Sequence, residues 1–337
     1  LRVLLTASGC PGSATLIRNL RLWDRDLYIL GVDADPTAIG SVLCDDFEVV
    51  PRGDDPDYPG AIVDLFESRD IDVVFPQSSS EVLPLSRLAA RGEITAAVGR
   101  PFAVATALSK VATYTALDSR VSRAVPRWFL ATCPSDLFEA AEILGYPHRP
   151  VVVKPPEGKG SRGVRILKLM DRAECFRLLM SKPTHLFCSL EEYAGAVDFD
   201  RGPVMVMEYL EGREMTVDCL CFEGRPLIST VKSVDRSLCG VITRGELIRE
   251  PGLVDLTAEI LRAIPLSFCV NLQFIGHKLV EINPRVSTII DQPEFYTPYL
   301  ALQLATGRLS PDEIASAGFR PEYGRRMIRF FDMVSLR

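Results

Sequence analysis

The 337 residues contain no apolar run approaching the roughly 18 that a membrane-crossing helix requires, so no membrane partner is expected. Positive charge is short as well: 38 Lys and Arg stand against 44 Asp and Glu, for a formal net charge of -6 and a pI near 5.3. Such a chain offers no field for a phosphate polymer, which excludes nucleic acid as the expected partner and leaves small anions to local lysines and arginines. Histidine is scarce, with only His148, His185 and His277, so Cys219 and Cys221 find no second ligand pair for zinc. The nine cysteines are odd in number, contain no CxxC pair and follow no secretory signal, which predicts reduced thiols in a cytoplasmic protein. What remains is 47% hydrophobic and 24% charged, the make-up of a globular chain long enough for two or three domains.

In the first hundred residues, apolar runs at 2–6, 27–32, 47–50 and 73–75 alternate with helical spacing at 14–22, 58–68 and 81–90. That alternation predicts a parallel sheet covered by helices, with a ligand crevice beyond the carboxyl ends of the strands. The loops 6–13, 33–35 and 76–81 fall there. The first, TASGCPGS, places Gly9 and Gly12 after a strand, and Asp33 follows the next strand. The GxGxxG spacing and its third glycine are missing, which argues against a nicotinamide or flavin cofactor. Ser78, Ser79, Ser80 and Glu81 stand at a helix start and suit a carboxylate or an ammonium group; capping of the helix by Ser80 accounts for that serine equally well.

Chemistry concentrates further along. Lys154 ends the apolar strand VVVK, where an ammonium is costly to bury unless an anion neutralises it. The following loop has glycines at 158, 160 and 163 with Lys159 and Arg162 between them, so backbone N–H groups can approach phosphate oxygens, and its exit into a strand predicts a mobile hairpin lid rather than a P-loop. Residues 204–218, VMVMEYLEGREMTVD, form a strand, an acidic hinge and a second strand. Residues 270–287, VNLQFIGHKLVEINPRVS, form a hairpin in which Gln273 on one strand and Glu281, Asn283 and Arg285 at alternate positions on the other can share a face. One carboxylate and two amide oxygens beside a guanidinium suit a hard divalent cation that bridges phosphates.

These stretches resemble the ATP-grasp superfamily, and within it one half of the carbamoyl phosphate synthetase large subunit and the stand-alone carboxylate-amine ligases. The resemblance covers nearly the whole chain and rests chiefly on E-I-N-P-R-V-S at 281–287. It implies an α/β and α+β fold: a pre-grasp parallel α/β domain at 1–101, a central lobe at 102–210 whose glycine-rich lid covers about 125–208, and a C-terminal lobe at 211–337 with the metal site. ATP and Mg2+ are the implied cofactors, with Mn2+ as a substitute. By resemblance, Lys110, Lys154, Gly158, Gly160, Ser161 and Gly163 hold phosphates. Glu208, Tyr209 and Leu210 border the adenine mainly through main-chain atoms, Glu214 takes the ribose hydroxyls, and Gln273, Glu281 and Asn283 hold magnesium, with Gln273 also at the nucleotide. Arg285 and Lys154 serve the phosphoryl transfer, while Ser79, Glu81, Arg236 and Arg244 face the substrates. Two departures stand out: Gln273 occupies a place where many members carry an acid, and Lys110 and Lys154 stand where the synthetase halves use arginine.

The implied activity is an ATP-dependent ligase that phosphorylates a small carboxylic acid, an amino acid or peptide-like acid, and passes the acyl group to an amine with release of ADP and phosphate. Carboxyphosphate or carbamoyl-phosphate chemistry and a non-catalytic ATP-binding regulator are the alternatives. Partners are then small molecules, and a homodimer is allowed.

Overall fold

The computed structural model describes residues 1–158, 162–181, 186–238, 241–330 and 333–334. The first sheet is fully parallel, with β1 (Arg2–Leu5), β2 (Tyr28–Asp33), β3 (Asp46–Val49) and β4 (Val73–Phe75) in the order β3-β2-β1-β4. Its crossovers are α1 (Ser13–Trp23), the short α2 (Gly40–Leu43) and α3 (Tyr58–Ser68), and β4 leads into α4 (Ser79–Ala90). Ser78, rather than Ser80, caps α4: its hydroxyl accepts the Ser80 N–H at 3.4 Å, so the helix begins one residue before the expected cap. Two short helices follow, α5 (Pro101–Leu108) and α6 (Lys110–Asp118).

The second sheet runs β5-β9-β6-β7-β8, built from β5 (Trp128–Ala131), β6 (Val151–Lys154), β7 (Arg165–Leu167), β8 (Phe187–Cys188) and β9 (Val204–Glu208). Helices α7 (Pro134–Ile143), α8 (Arg172–Leu179) and α9 (Leu190–Ala196) belong to the same region. Helix α9 is fixed by a reciprocal capping box between Ser189 and Glu192.

The third sheet is antiparallel, β12-β13-β11-β10-β14-β15 with β16 on the far side of β13. Its strands are β10 (Glu214–Phe222), β11 (Arg225–Ser233), β12 (Arg236–Leu238), β13 (Val241–Ile248), β14 (Phe268–Ile275), β15 (Lys278–Asn283) and β16 (Arg326–Ile328), with α10 (Pro251–Ala263), α11 (Thr297–Ala305) and α12 (Pro311–Ser316) alongside. Strand β10 is buried over almost its whole length because α10 and α11 both pack against it.

Three apolar cores hold these layers. One joins Leu4, Val74 and Leu85 of the first layer to Leu272, Phe274 and Ile282 of the third, and a second joins Val3, Leu5 and Phe75 to Leu300 and Leu302. The second sheet has its own core, including Leu137, Val151, Val153 and Val206. Among the described residues no helix is long and apolar enough to cross a membrane.

Candidate functional site

Ser109 caps α6 by accepting the Ala112 N–H at 3.3 Å, which sets Lys110 at the first helical position and Tyr114 one turn on along the same face. The Lys110 N–H donates to the Pro156 carbonyl at 3.1 Å. Its ammonium donates to the Gly158 carbonyl at 3.2 Å and lies 3.9 Å from a Glu281 oxygen. The buried Tyr114 hydroxyl donates toward the Leu279 and Val280 carbonyls, at 2.9 and 3.0 Å, and accepts from Lys154 at 3.3 Å. Tyr114 thus fastens α6 to β15 and aims Lys154.

Lys154 is 3% exposed, and besides Tyr114 it donates to the Val280 carbonyl at 3.4 Å. Neither acceptor carries a charge. Burial first, then the neighbouring Lys110, pulls its pKa down to about 7, with Glu281 acting in the opposite direction. A buried ammonium short of counter-charge is what a polyphosphate would satisfy.

The β14–β15 register sets Gln273 opposite Glu281 and Asn271 opposite Asn283. The Asn283 amide donates to Glu281 at 3.1 Å, so its carbonyl oxygen is the atom left for a ligand. Among the described residues no three His, Cys, Asp or Glu side chains converge as a metal cluster, so a divalent ion here would have one glutamate and two amides, and nucleotide oxygens would complete it. Arg285 follows β15; its Nε donates to Ser79 Oγ at 3.0 Å and another nitrogen donates to the Val286 carbonyl at 2.9 Å. Burial lowers its pKa, opposed by Cys10, Glu281 and Glu81, and a guanidinium stays protonated through such a shift. Glu214 is exposed at the residue level, yet its carboxyl pKa is pushed up, by partial burial first and then by Glu281.

Two cavities flank these residues. The first, about 450 Å³, lies between the second and third sheets. Val152, Ile166 and Met207 wall it on one side and Ile275 and Val280 on the other; Glu208, Tyr209 and Leu210 line it, as do Lys110, Lys154, Gly158 and Arg162. An apolar slot with a cationic region matches a flat base joined to phosphates. The second cavity, about 790 Å³, is bordered by α4, α5 and the third sheet and takes in Ser79, Ser80, Asn283 and Arg285. Lys110, Gly158, Glu214, Gln273 and Glu281 line both.

Other residues picked from the sequence stand apart. Glu81, in the first turn of α4, is buried, its carboxylate accepting from the Thr6 hydroxyl at 2.6 Å. Arg236 and Arg244 face each other, exposed, across the β12–β13 hairpin, and the residues of that hairpin that line the second cavity are Ser237 and Ile242. The Glu208 carboxylate braces β5 by accepting the Arg127 N–H at 2.8 Å. Gly163 has φ +77°, a turn conformation that suits glycine, and packs on Pro155. Gly160 and Ser161, like Lys159, His185 and Cys239, lie outside the described residues.

Two features escaped the sequence. The Lys110-to-Tyr114 spacing of one helical turn was a usable signal for Tyr114. A buried pair of Lys232 and Asp218 also binds the Thr288 carbonyl, just beyond Arg285, while Asn271 donates to Asp218 at 2.8 Å. A Lys and an Asp inside apolar strands were its only trace.

Residues 200–320, which include β10, β14 and β15, match the model of the family described as ATP-grasp in the biosynthetic pathway with Ter operon. Phosphoribosylglycinamide synthetase from Anaerococcus prevotii is similar over 96% of this chain and 79% of its own, with a TM-score of 0.65 and 15% identity. N5-carboxyaminoimidazole synthetase from Staphylococcus aureus, solved with ADP, is similar over 92% and 78%, with a TM-score of 0.65 and 13% identity. The biotin carboxylase domain of 2-oxoglutarate carboxylase from Hydrogenobacter thermophilus, solved with MgADP, ADP and bicarbonate, gives 96% and 71%, a TM-score of 0.62 and 18% identity. At these identities the likeness is one of fold. The chain shares the fold of these enzymes over nearly all its length, and the segment that matches the ATP-grasp family model carries the Glu281–Asn283–Arg285 hairpin.

Proposed function

We propose that the chain is an ATP-dependent ligase that activates a small carboxylic acid as an acyl phosphate and joins it to an amine. The observation that carries this reading is the meeting of the two cavities at Lys110, Gly158, Glu214, Gln273 and Glu281, which gives a nucleotide and a second substrate one shared wall. The apolar slot takes adenine, Lys154 and Lys110 take phosphates, and Glu214 is placed for ribose hydroxyls. Gln273, Glu281 and Asn283 would hold magnesium, which supplies charge neutralisation at the phosphates. Arg285, held by Ser79, orients the substrate carboxylate and offsets charge as it meets the terminal phosphate. The carboxylate oxygen forms a bond to phosphorus as the bond to ADP breaks. The amine then attacks the acyl carbon, phosphate leaves with its bridging oxygen, and the amine gives up a proton.

The test is incubation with MgATP, hydroxylamine and pooled carboxylic and amino acids, reading hydroxamate and ADP, with Lys154→Ala as the blank. Hydroxamate from one pool identifies the acid by subdivision; its absence from every pool, with MgATP bound, ends this reading. A second reading, carboxyphosphate chemistry, draws support from the bicarbonate in the 2-oxoglutarate carboxylase structure. ADP release that depends on bicarbonate alone distinguishes it.

A further inference from the structure

The second cavity extends well past the metal residues. One wall is a face of α4 that presents Ser80, Leu83 and Arg87 at helical spacing, and Leu108 of α5 also lines it. Gly53 lets the neighbouring loop lie against the start of α4, where a side chain would strike Ser80 and Glu81. Three cations line the cavity. The Arg285 guanidinium is engaged by Ser79 and the Val286 carbonyl, and the Lys110 ammonium by the Gly158 carbonyl. The Arg87 guanidinium makes no hydrogen bond or ion pair with any described residue.

Its position sets a length. Arg285 touches Ser79 in the first turn of α4, and Arg87 lies eight residues further on, about 12 Å of helical rise. A helical side chain leans back toward the N-terminus, so the two guanidinium groups stand on the order of 10 Å apart. Resting on the ligase reading above, we infer that the acid substrate is a dicarboxylate: one carboxylate lies at Arg285 and Ser79 for phosphorylation, and the second is held by Arg87. A segment about three extended peptide residues long, or a carbon chain of that reach, spans the gap along Leu83 and Leu108. The planar guanidinium takes a carboxylate through two parallel hydrogen bonds, and its solvent exposure limits the gain to about tenfold in affinity.

The experiment compares α,ω-dicarboxylates from succinate to sebacate with straight-chain monocarboxylates of equal carbon number, using MgATP and hydroxylamine. The expected result is a kcat/KM about tenfold higher for the longer dicarboxylates. Arg87→Gln should raise their KM about tenfold with little change in kcat, and Arg87→Lys should restore part of the loss. Equal use of mono- and dicarboxylates by the wild type, or a preference that survives Arg87→Gln, overturns the inference. If no acid gives ADP, the ligase reading fails on its own account, and equilibrium dialysis of suberate against the MgADP-loaded protein decides this site separately. Saturable binding that Arg87→Gln weakens supports it; no binding, or binding indifferent to Arg87→Gln, overturns it.

Discussion

Replacing Lys154 by Met should make the ligand-free protein more stable while removing its hold on nucleotide. The side chain is almost fully buried, and its hydrogen bonds end on a hydroxyl and a carbonyl. Burial and Lys110 lower its pKa from 10.5 to about 7, so the folded chain binds this proton more weakly than the unfolded chain does. Between those two values the unfolded state holds more protons, and stability rises with pH; below about 7 the full penalty of the buried charge is present. At about 1.4 kcal/mol per tenfold change in proton affinity, that penalty has a ceiling of about 5 kcal/mol. Relaxation and water entry reduce it, and Met fills a similar volume, so a gain of about 2–4 kcal/mol at pH 6 is expected for Lys154→Met. The gain should shrink steadily above pH 7 and vanish near 10.5. Urea unfolding of both proteins at pH 6, 8 and 10 measures it. A variant less stable than wild type at pH 6, or a difference that stays flat with pH, refutes the reasoning. Saturating MgATP should reverse the order, because only the wild type gains from binding.

Three further outcomes are expected. Glu281→Ala should lower turnover at least about a hundredfold with little change in unfolding midpoint; full activity in both this variant and Lys154→Ala removes the site assignment. Tyr114→Phe leaves the Leu279 and Val280 carbonyls and Lys154 without their shared hydroxyl, so urea unfolding should show a loss of about 1–3 kcal/mol, and MgATP titration a weaker affinity. Lys232→Ala strands the buried Asp218 carboxylate and should cost about 3–5 kcal/mol, most of it recovered in the double variant Asp218→Val with Lys232→Met, where no charge remains to be compensated.

Much of the architecture was legible because it rests on local patterns. Helix α3 and strand β4 fall at the expected residues, β1, β2, β3, α1 and α4 shift by a residue or two, and the one-turn α2 was not anticipated. The β14–β15 hairpin was legible from period-two spacing around Gly276, whose φ of +58° makes the turn. The β12–β13 hairpin was not, since β12 is three exposed residues and the apolar residues of β13 sit in pairs at its two ends, with Thr243, Arg244 and Glu246 between them, so no alternating apolar stripe forms. Strand β16 was missed for a related reason: its three residues pair with β13 at the rim and bury little. The depth of Glu81 was equally unreadable, because a glutamate at a helix start looks solvated until the Thr6 hydroxyl is known to lie beneath it. Long-range partners of this kind leave no periodic trace.

Lys110 grips the carbonyl of Gly158 from the very loop that borders the phosphate end of the first cavity. One of the three N–H donors of this ammonium is therefore engaged before any ligand arrives. On the ligase reading proposed above, a phosphate would meet two further donors, and the lysine would bridge it to the Gly158 carbonyl rather than exchange one acceptor for the other. A hydrogen bond from a charged donor contributes about 1.5–3 kcal/mol, so this side chain would tie the backbone at residue 158 to the occupancy of the cavity, and Lys110→Ala would cut both ties at once.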